Sequence, residues 1–170
     1  AVHHEPVGPL DVAERAQLLR EQTDYFVAMR MVASHGPFQT ACDLRGTEAF
    51  LMDMALNPEF AHALLDKITT AIEGLFRITM QASGKYFDMI ELPGDDYAGN
   101  LNLIISPVMF RKFIKPCLAR LVKTIKEYNP NIKVMLHSDG AIAALLPDVI
   151  SIGVDLIHPL FDLLDEREVR

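Results

Sequence analysis

The chain has 170 residues, half of them hydrophobic and 23% charged, with a net charge of −7 at pH 7. That balance fits a globular chain with a core rather than a disordered one, and the acidic excess argues against a nucleic-acid or anionic-membrane surface, both of which need clustered Lys and Arg. No run reaches the roughly 18 apolar residues of a spanning helix and no cationic, apolar leader opens the sequence, so a cytoplasmic protein is expected; Cys42 and Cys117 are too few and too far apart for a zinc knuckle or a redox pair.

Residues 1–10 carry Pro6, Gly8 and Pro9 and read as an entry loop, or as the cut edge of something longer, with a solvated His3-His4 pair. Asp11 caps a helix to about Thr23, with Glu14 three residues on as its capping-box partner. Tyr25 to Ser34 reads as a buried strand with Arg30 inside it, a cation that needs a partner or a ligand carboxylate there. His35-Gly36-Pro37-Phe38 breaks the strand. A helical segment from Thr40 to Leu56 is interrupted near Gly46. Asn57-Pro58-Glu59 is a helix start, with Asn as cap, Pro in the first turn and Glu at the positive end. Phe60, Leu64, Leu65, Ile68, Ile72, Leu75, Phe76 and Met80 follow at helical spacing, and Ser83-Gly84 ends the run.

Tyr86 to Leu92 is the second strand, and Asp95-Asp96-Tyr97-Ala98-Gly99-Asn100 a polar loop after it. Ser106-Pro107 starts a helix with a stripe from Phe110 to Ile125, and Pro116 inside it predicts a kink. Ile132 to His137 is a short, mostly apolar strand that runs into Ser138-Asp139-Gly140. Two short helical turns span Ala141–Ile152, restarted at Pro147. Val154 to Ile157 is a fourth strand, His158-Pro159 follows it, and Asp165 to Glu168 form a charged tail.

Helices alternating with strands at this spacing imply α/β architecture with parallel strands. A doubly wound sheet and a (β/α)8 barrel both fit, and the absence of G-x-G-x-x-G after any strand counts against a dinucleotide fold. Every strand ends in polar or ionisable residues: Ser34-His35, Glu91, His137 with Asp139, and His158. In a parallel barrel those ends share the face that carries chemistry. His137 and Asp139 supply two metal ligands from one turn, with Glu91 or an Asp as a third, or the same groups serve acid–base work.

The run of segments resembles the uroporphyrinogen decarboxylase superfamily, which holds true decarboxylases and corrinoid-linked methyltransferases. The likeness is carried by His35-Gly36-Pro37-Phe38 with Gly46, Asn57-Pro58-Glu59, Asp95 to Gly99 and on to Ile105-Ser106-Pro107, Phe110 to Pro116, His137-Ser138-Asp139-Gly140, and Ile152 to Asp155 with Pro159. It implies a (β/α)8 barrel about twice this length, of which residues 1–170 form the four-stranded middle. Taken together with the strand ends, it makes His137, Asp96 and Glu91 the catalytic candidates, His35, Phe38, Asp95, Tyr97 and Arg30 the candidate substrate contacts, and His137, Asp139 and Glu91 the candidate ligands of a divalent metal, zinc or another.

Two departures bear on the activity. A tyrosine that the decarboxylases use after the Gly-Pro-Phe-like turn has no counterpart in Gln39-Thr40-Ala41-Cys42-Asp43. In the methyltransferases the strand matching 132–137 ends in a zinc-binding His-x-Cys, and here Asp139 stands at the cysteine's place, which points to a harder, oxygen-richer site or to no metal. An acidic, histidine-bearing face suits a cation or a neutral methyl donor better than a polyanion. The expectation is a methyltransferase working with a corrinoid on a partner protein. The alternatives are cofactor-free decarboxylation of porphyrinogen acetates, and an inactive half-barrel that pairs its open edges with another chain. A homodimer is implied by the decarboxylase branch.

Overall fold

The computed structural model describes residues 9–159; His3-His4 and the charged stretch 165–168 lie outside them. Four strands, β1 (Ala28–Met29), β2 (Met89–Glu91), β3 (Lys133–His137) and β4 (Leu156–His158), form one parallel sheet in the order β1-β2-β3-β4. A doubly wound sheet reverses its strand order at a switch point, whereas a barrel adds strands sequentially around an arc. The unreversed order is that of part of a (β/α)8 barrel, as the sequence predicts.

The helices are α1 (Pro9–Gln22), α2 (Pro37–Arg45), α3 (Thr47–Leu56), α4 (Pro58–Ser83), α5 (Pro107–Met109), α6 (Lys115–Tyr128) and α7 (Leu146–Ser151). Proline sits in the first turn of α2, α4, α5, α6 and α7, where its missing N–H is one that a helix leaves unpaired anyway. α4 buries Ala61, Leu65, Ile68, Thr69, Ile72, Phe76, Thr79 and Met80 along one face, and each buried Leu, Ile or Phe there contributes about 2 kcal/mol. Its outer seam with α6 is polar: Glu73 accepts from Arg77, Arg120 and Thr124, and Arg120 reaches on to Asp66. Phe60 and Leu75, placed in the stripe by spacing, remain exposed.

Several boundaries differ from expectation. The apolar run 25–34 yields only a two-residue strand, because its ladder with β2 is satisfied for Ala28 and Met29 alone. Tyr25 and Phe26 point outward, and Val27 instead donates its N–H to the Asp88 carboxylate, which also takes Arg20 of α1. Asp11 lies inside the first turn of α1, not at its cap, since the helix starts at Pro9. Tyr86 closes a 3-10 turn, so β2 starts later, at Met89. β4 runs to His158, which makes that histidine a strand residue. α2 starts at Pro37, three residues before the predicted Thr40, and breaks from α3 at Gly46, whose φ of 87° favours glycine. Asn57 holds the cap position of α4 without a side-chain capping bond, whereas Ser106 Oγ accepts from Met109 N–H at 3.2 Å as the cap of α5.

The kink predicted at Pro116 takes a definite form. Phe110–Ile114 is a π-helical turn between α5 and α6, and Lys115 N–H bonds back to Phe110 O, five residues away. Proline removes the donor to the fourth preceding carbonyl and crowds it, and a wider turn just upstream relieves both.

Candidate active site at the carboxyl edge

All strands run the same way, so their carboxyl ends lie on one edge, and the registers place the candidate residues level with one another. His35 bridges Gly94 just beyond β1 and β2, and His137 pairs with His158 at the ends of β3 and β4. Gly36 N–H donates to Gly94 O at 2.9 Å, and Ser138 N–H to His158 O at 3.1 Å. Ser34, His35, Gln39, Gly94, Asp96 and His137 line a pocket of about 410 Å³ at this edge. Gly94 is small for a reason: a Cβ there would lie 3.2 Å from His137 Cδ2, crowding the ring.

Asp96, His137 and Asp139 each offer one ligand atom, and these atoms lie within 4.8 Å of one another. Asp96 Oδ1 also accepts the Asp139 N–H at 2.8 Å, which ties the β2 loop to the β3 loop. His137 Nε2 lies 3.9 Å from Asp139 Oδ1. On its other side His137 Nδ1 meets His158 Nδ1 at 3.1 Å, the rings stacked at 5.3 Å. Two facing nitrogens at that distance need one hydrogen between them, so one ring donates and the other accepts. Sequence alone places His158 at a strand end before a proline; the register of β4 against β3 is what pairs it with His137.

On the β1 side, His35 Nδ1 lies 2.8 Å from Asp43 Oδ2, and Gln39 Nε2 donates to Asp43 Oδ1 at 2.8 Å. Gln39 first and His35 second hold the Asp43 carboxyl below its ordinary range. Asp43 was not singled out from sequence, although Gln39 and Asp43 stand four apart on one helix face, the spacing at which side chains meet.

Other expected site residues are placed elsewhere. Asp95 is buried and accepts from Gln39 N–H at 2.8 Å, Phe38 N–H at 3.1 Å and Tyr97 Oη–H at 3.0 Å. It caps α2 from across the site, which corrects its reading as a substrate contact. Burial pushes its carboxyl up to about 7 against the pull of those three donors, and burial likewise pushes the Tyr97 phenol well above its ordinary value. Phe38 and Tyr97 are interior, with ring centroids 6.0 Å apart, Phe38 against Phe50 and Tyr97 edge-on to Phe110 of the π turn. They are core residues and do not line the pocket. Glu91 is 1% exposed and accepts from Arg30 Nε at 2.8 Å; it does not join the Asp96–His137–Asp139 group, so the metal and catalytic roles expected of it are not what this geometry places there. Arg30, read as a substrate contact, is the partner of Glu91. Its removal in Arg30→Ala leaves the buried Glu91 carboxylate unpaired, and a lowered urea midpoint is expected. Cys42 and Cys117 are buried free thiols, and burial pushes Cys42 up to about 11, far from a thiolate ligand.

Among the described residues no helix is long and apolar enough to cross a membrane. A model of the uroporphyrinogen decarboxylase (URO-D) family matches residues 9–163. The chain is 30% identical over 100 residues to uroporphyrinogen decarboxylase 2, chloroplastic, of Arabidopsis thaliana, an alignment that takes in 59% of this chain and 23% of the relative. It is 29% identical over 100 residues to uroporphyrinogen decarboxylase 2, chloroplastic, of Oryza sativa subsp. japonica, with the same coverage, 59% and 23%. To uroporphyrinogen decarboxylase of Synechocystis sp. it is 28% identical over 113 residues, 65% of this chain and 30% of the relative. The chain therefore spans between 23% and 30% of the length of these curated relatives.

Proposed function

This chain belongs to the uroporphyrinogen decarboxylase family, and from that premise we propose that the protein carrying it is an enzyme that decarboxylates a carboxylate-bearing substrate at the carboxyl edge of the sheet. The observation that carries the reading is the pocket itself, which gathers His35, Asp96 and His137 from three successive strand ends. The preference for methyl transfer, drawn from the resemblance together with the acidic strand ends, gains nothing from the relatives, which are named as decarboxylases.

The chemistry follows from the groups present. Loss of CO2 leaves an electron pair on carbon, and a proton must replace the carboxyl group. A donor that carries this proton is cationic beside the departing group, and the Asp96 and Asp139 carboxylates would stabilise that positive charge. The same carboxylates disfavour a carboxylate left in water-like contact beside them, which favours its departure as neutral CO2. His137, with its Nδ1 engaged by His158, keeps its ring fixed while Nε2 faces the carboxylates. The test is CO2 release from uroporphyrinogen by the intact protein. Release at a rate that falls at least 100-fold in His137→Ala is expected; no release from wild type would sink the reading.

A second reading rests on one specific observation, the ligand-distance grouping of Asp96, His137 and Asp139. Two carboxylates and an imidazole suit a harder divalent ion than a thiolate site would. Bound there, the ion would supply Lewis-acid polarisation of a substrate atom, and methyl transfer with a corrinoid-bearing partner is the activity this would serve. Metal analysis of the intact protein separates the two: one divalent ion per chain, lost in Asp139→Ala and His137→Ala, favours this second reading, and no ion in either favours the first. A cytoplasmic location and a homodimer belong to the proposal in the same way; two relatives carry chloroplastic in their names.

A further inference from the structure

The His35–Asp43 pair is a second chemical unit at the pocket, assembled from the β1 loop and α2. The Asp43 carboxylate has both oxygens engaged, one by Gln39 Nε2 and one by His35 Nδ1, each at 2.8 Å. A carboxylate that accepts from Nδ1 fixes the imidazole in the tautomer with hydrogen on Nδ1 and leaves Nε2 to accept or deliver a proton. The backbone on either side is also held. His35 bridges Gly94, Thr40 Oγ1 donates to His35 O at 3.3 Å, and the α2 N-terminus is clamped by buried Asp95. His35 lines the 410 Å³ pocket together with Asp96 and His137.

We propose that His35, with its ring held by Asp43 and Gln39, is the group that transfers the proton in this pocket, while the β2 and β3 side binds and polarises the substrate. The proposal rests on the decarboxylation reading above and deepens it. In the step, the imidazolium delivers its Nε2 hydrogen to the substrate carbon as the bond from that carbon to the carboxyl group breaks. CO2 leaves, a C–H bond replaces the C–C bond, and His35 is left neutral until water returns the proton. Asp43 takes no proton; it remains a carboxylate throughout and stabilises the charged ring. The charged and titratable groups that face His35 are Asp43 from α2, Asp96 from the β2 loop and His137 from β3, with Lys67 of α4 lining the adjoining cavity beside it. His35 and Asp43 are each about half exposed, at 53% and 47%, so substitutions there leave the fold intact.

Two measurements on the intact protein test this. Long-range proton–nitrogen correlation of the imidazoles is expected to show neutral His35 with its hydrogen on Nδ1, a preference lost in Asp43→Asn. A ring with its hydrogen on Nε2 in the wild type would overturn the proposal whatever the reaction proves to be. CO2 release from uroporphyrinogen is expected to fall 100-fold or more in kcat for His35→Ala, with KM changed less than threefold, and to recover in part with added imidazole. Turnover that survives His35→Ala, or a loss that imidazole leaves untouched, would overturn it as well. A wild type that releases no CO2 sinks the decarboxylation reading instead, and the tautomer of the ring then decides the dyad by itself.

Discussion

Gly140→Ala is expected to destabilise the protein by about 3–5 kcal/mol, through two causes that other glycines separate. Gly140 has a φ of 86°, where an L side chain costs about 1–2 kcal/mol. A Cβ there would also stand 2.6 Å from both Ala98 O and Gly99 O. Those atoms are backbone, and the same loop is pinned from below, since Ala141 N–H donates to Gly99 O at 2.9 Å. It cannot yield without moving Asp96, which is bonded to Asp139 N–H one residue before the glycine. Gly46 shares the positive φ, at 87°, but has nothing within 4 Å, so Gly46→Ala isolates the strain and should cost about 1 kcal/mol. Gly74 lies inside α4 with nothing within 4 Å, and Gly74→Ala should stabilise by about 0.5–1 kcal/mol. Urea midpoints in that order, with Gly140→Ala far below the other two, are the result expected; Gly140→Ala close to Gly46→Ala would show that the contact with the 98–99 loop does not constrain it.

The helices were legible in the sequence because their signals are local. Proline in the first turn, a serine before it at Ser106 and an apolar stripe of period 3.6 do not depend on what packs against them, and α4 accordingly starts and stops where Asn57-Pro58 and Ser83-Gly84 place it. Strand limits depend on a neighbour. Nothing between Tyr25 and Ser34 marks that only Ala28 and Met29 find a ladder partner, or that β4 extends through His158. The site divides along the same line. Polar residues at strand ends follow from parallel topology, and His35, Asp96 and His137 do converge. Side chains whose role depends on what they touch across the sheet were not legible: Asp95 and Tyr97 sit in a polar loop by composition yet are buried, and Glu91 ends a strand yet is satisfied by Arg30. Asp43 and His158 become visible only when α2 is set beside the β1 loop and β4 beside β3.

Asp95→Ala is expected to cost about 3–5 kcal/mol, because the buried carboxyl is the partner of two backbone N–H groups and one phenol, those of Phe38 and Tyr97 fully enclosed. Each donor left alone costs about 1–3 kcal/mol, and the relief of no longer burying a charge offsets part of the sum. Gly36 is the companion residue. A Cβ at Gly36 would lie 2.5 Å from Asp95 Cγ, so the close approach of the α2 N-terminus to the carboxylate requires glycine there. Gly36→Ala should therefore be severe in the wild type and nearly neutral once Asp95 is alanine, a non-additivity that a double-mutant cycle reads directly. The carboxyl also makes stability depend on pH. Burial holds it at about 7 in the folded protein, while the unfolded chain releases the proton near 4. Between those values the folded state binds the extra proton, so stability must fall as pH rises from 4 to 7, by up to about 1.4 kcal/mol per pH unit. Asp95→Asn has no proton to lose there. The gap between wild-type and Asp95→Asn urea midpoints is thus expected to be widest at pH 4.5 and to narrow towards pH 7.5. A gap that widens as pH rises would mean that the three donors, rather than burial, set the charge state of Asp95, and that α2 is capped by an anion at every pH.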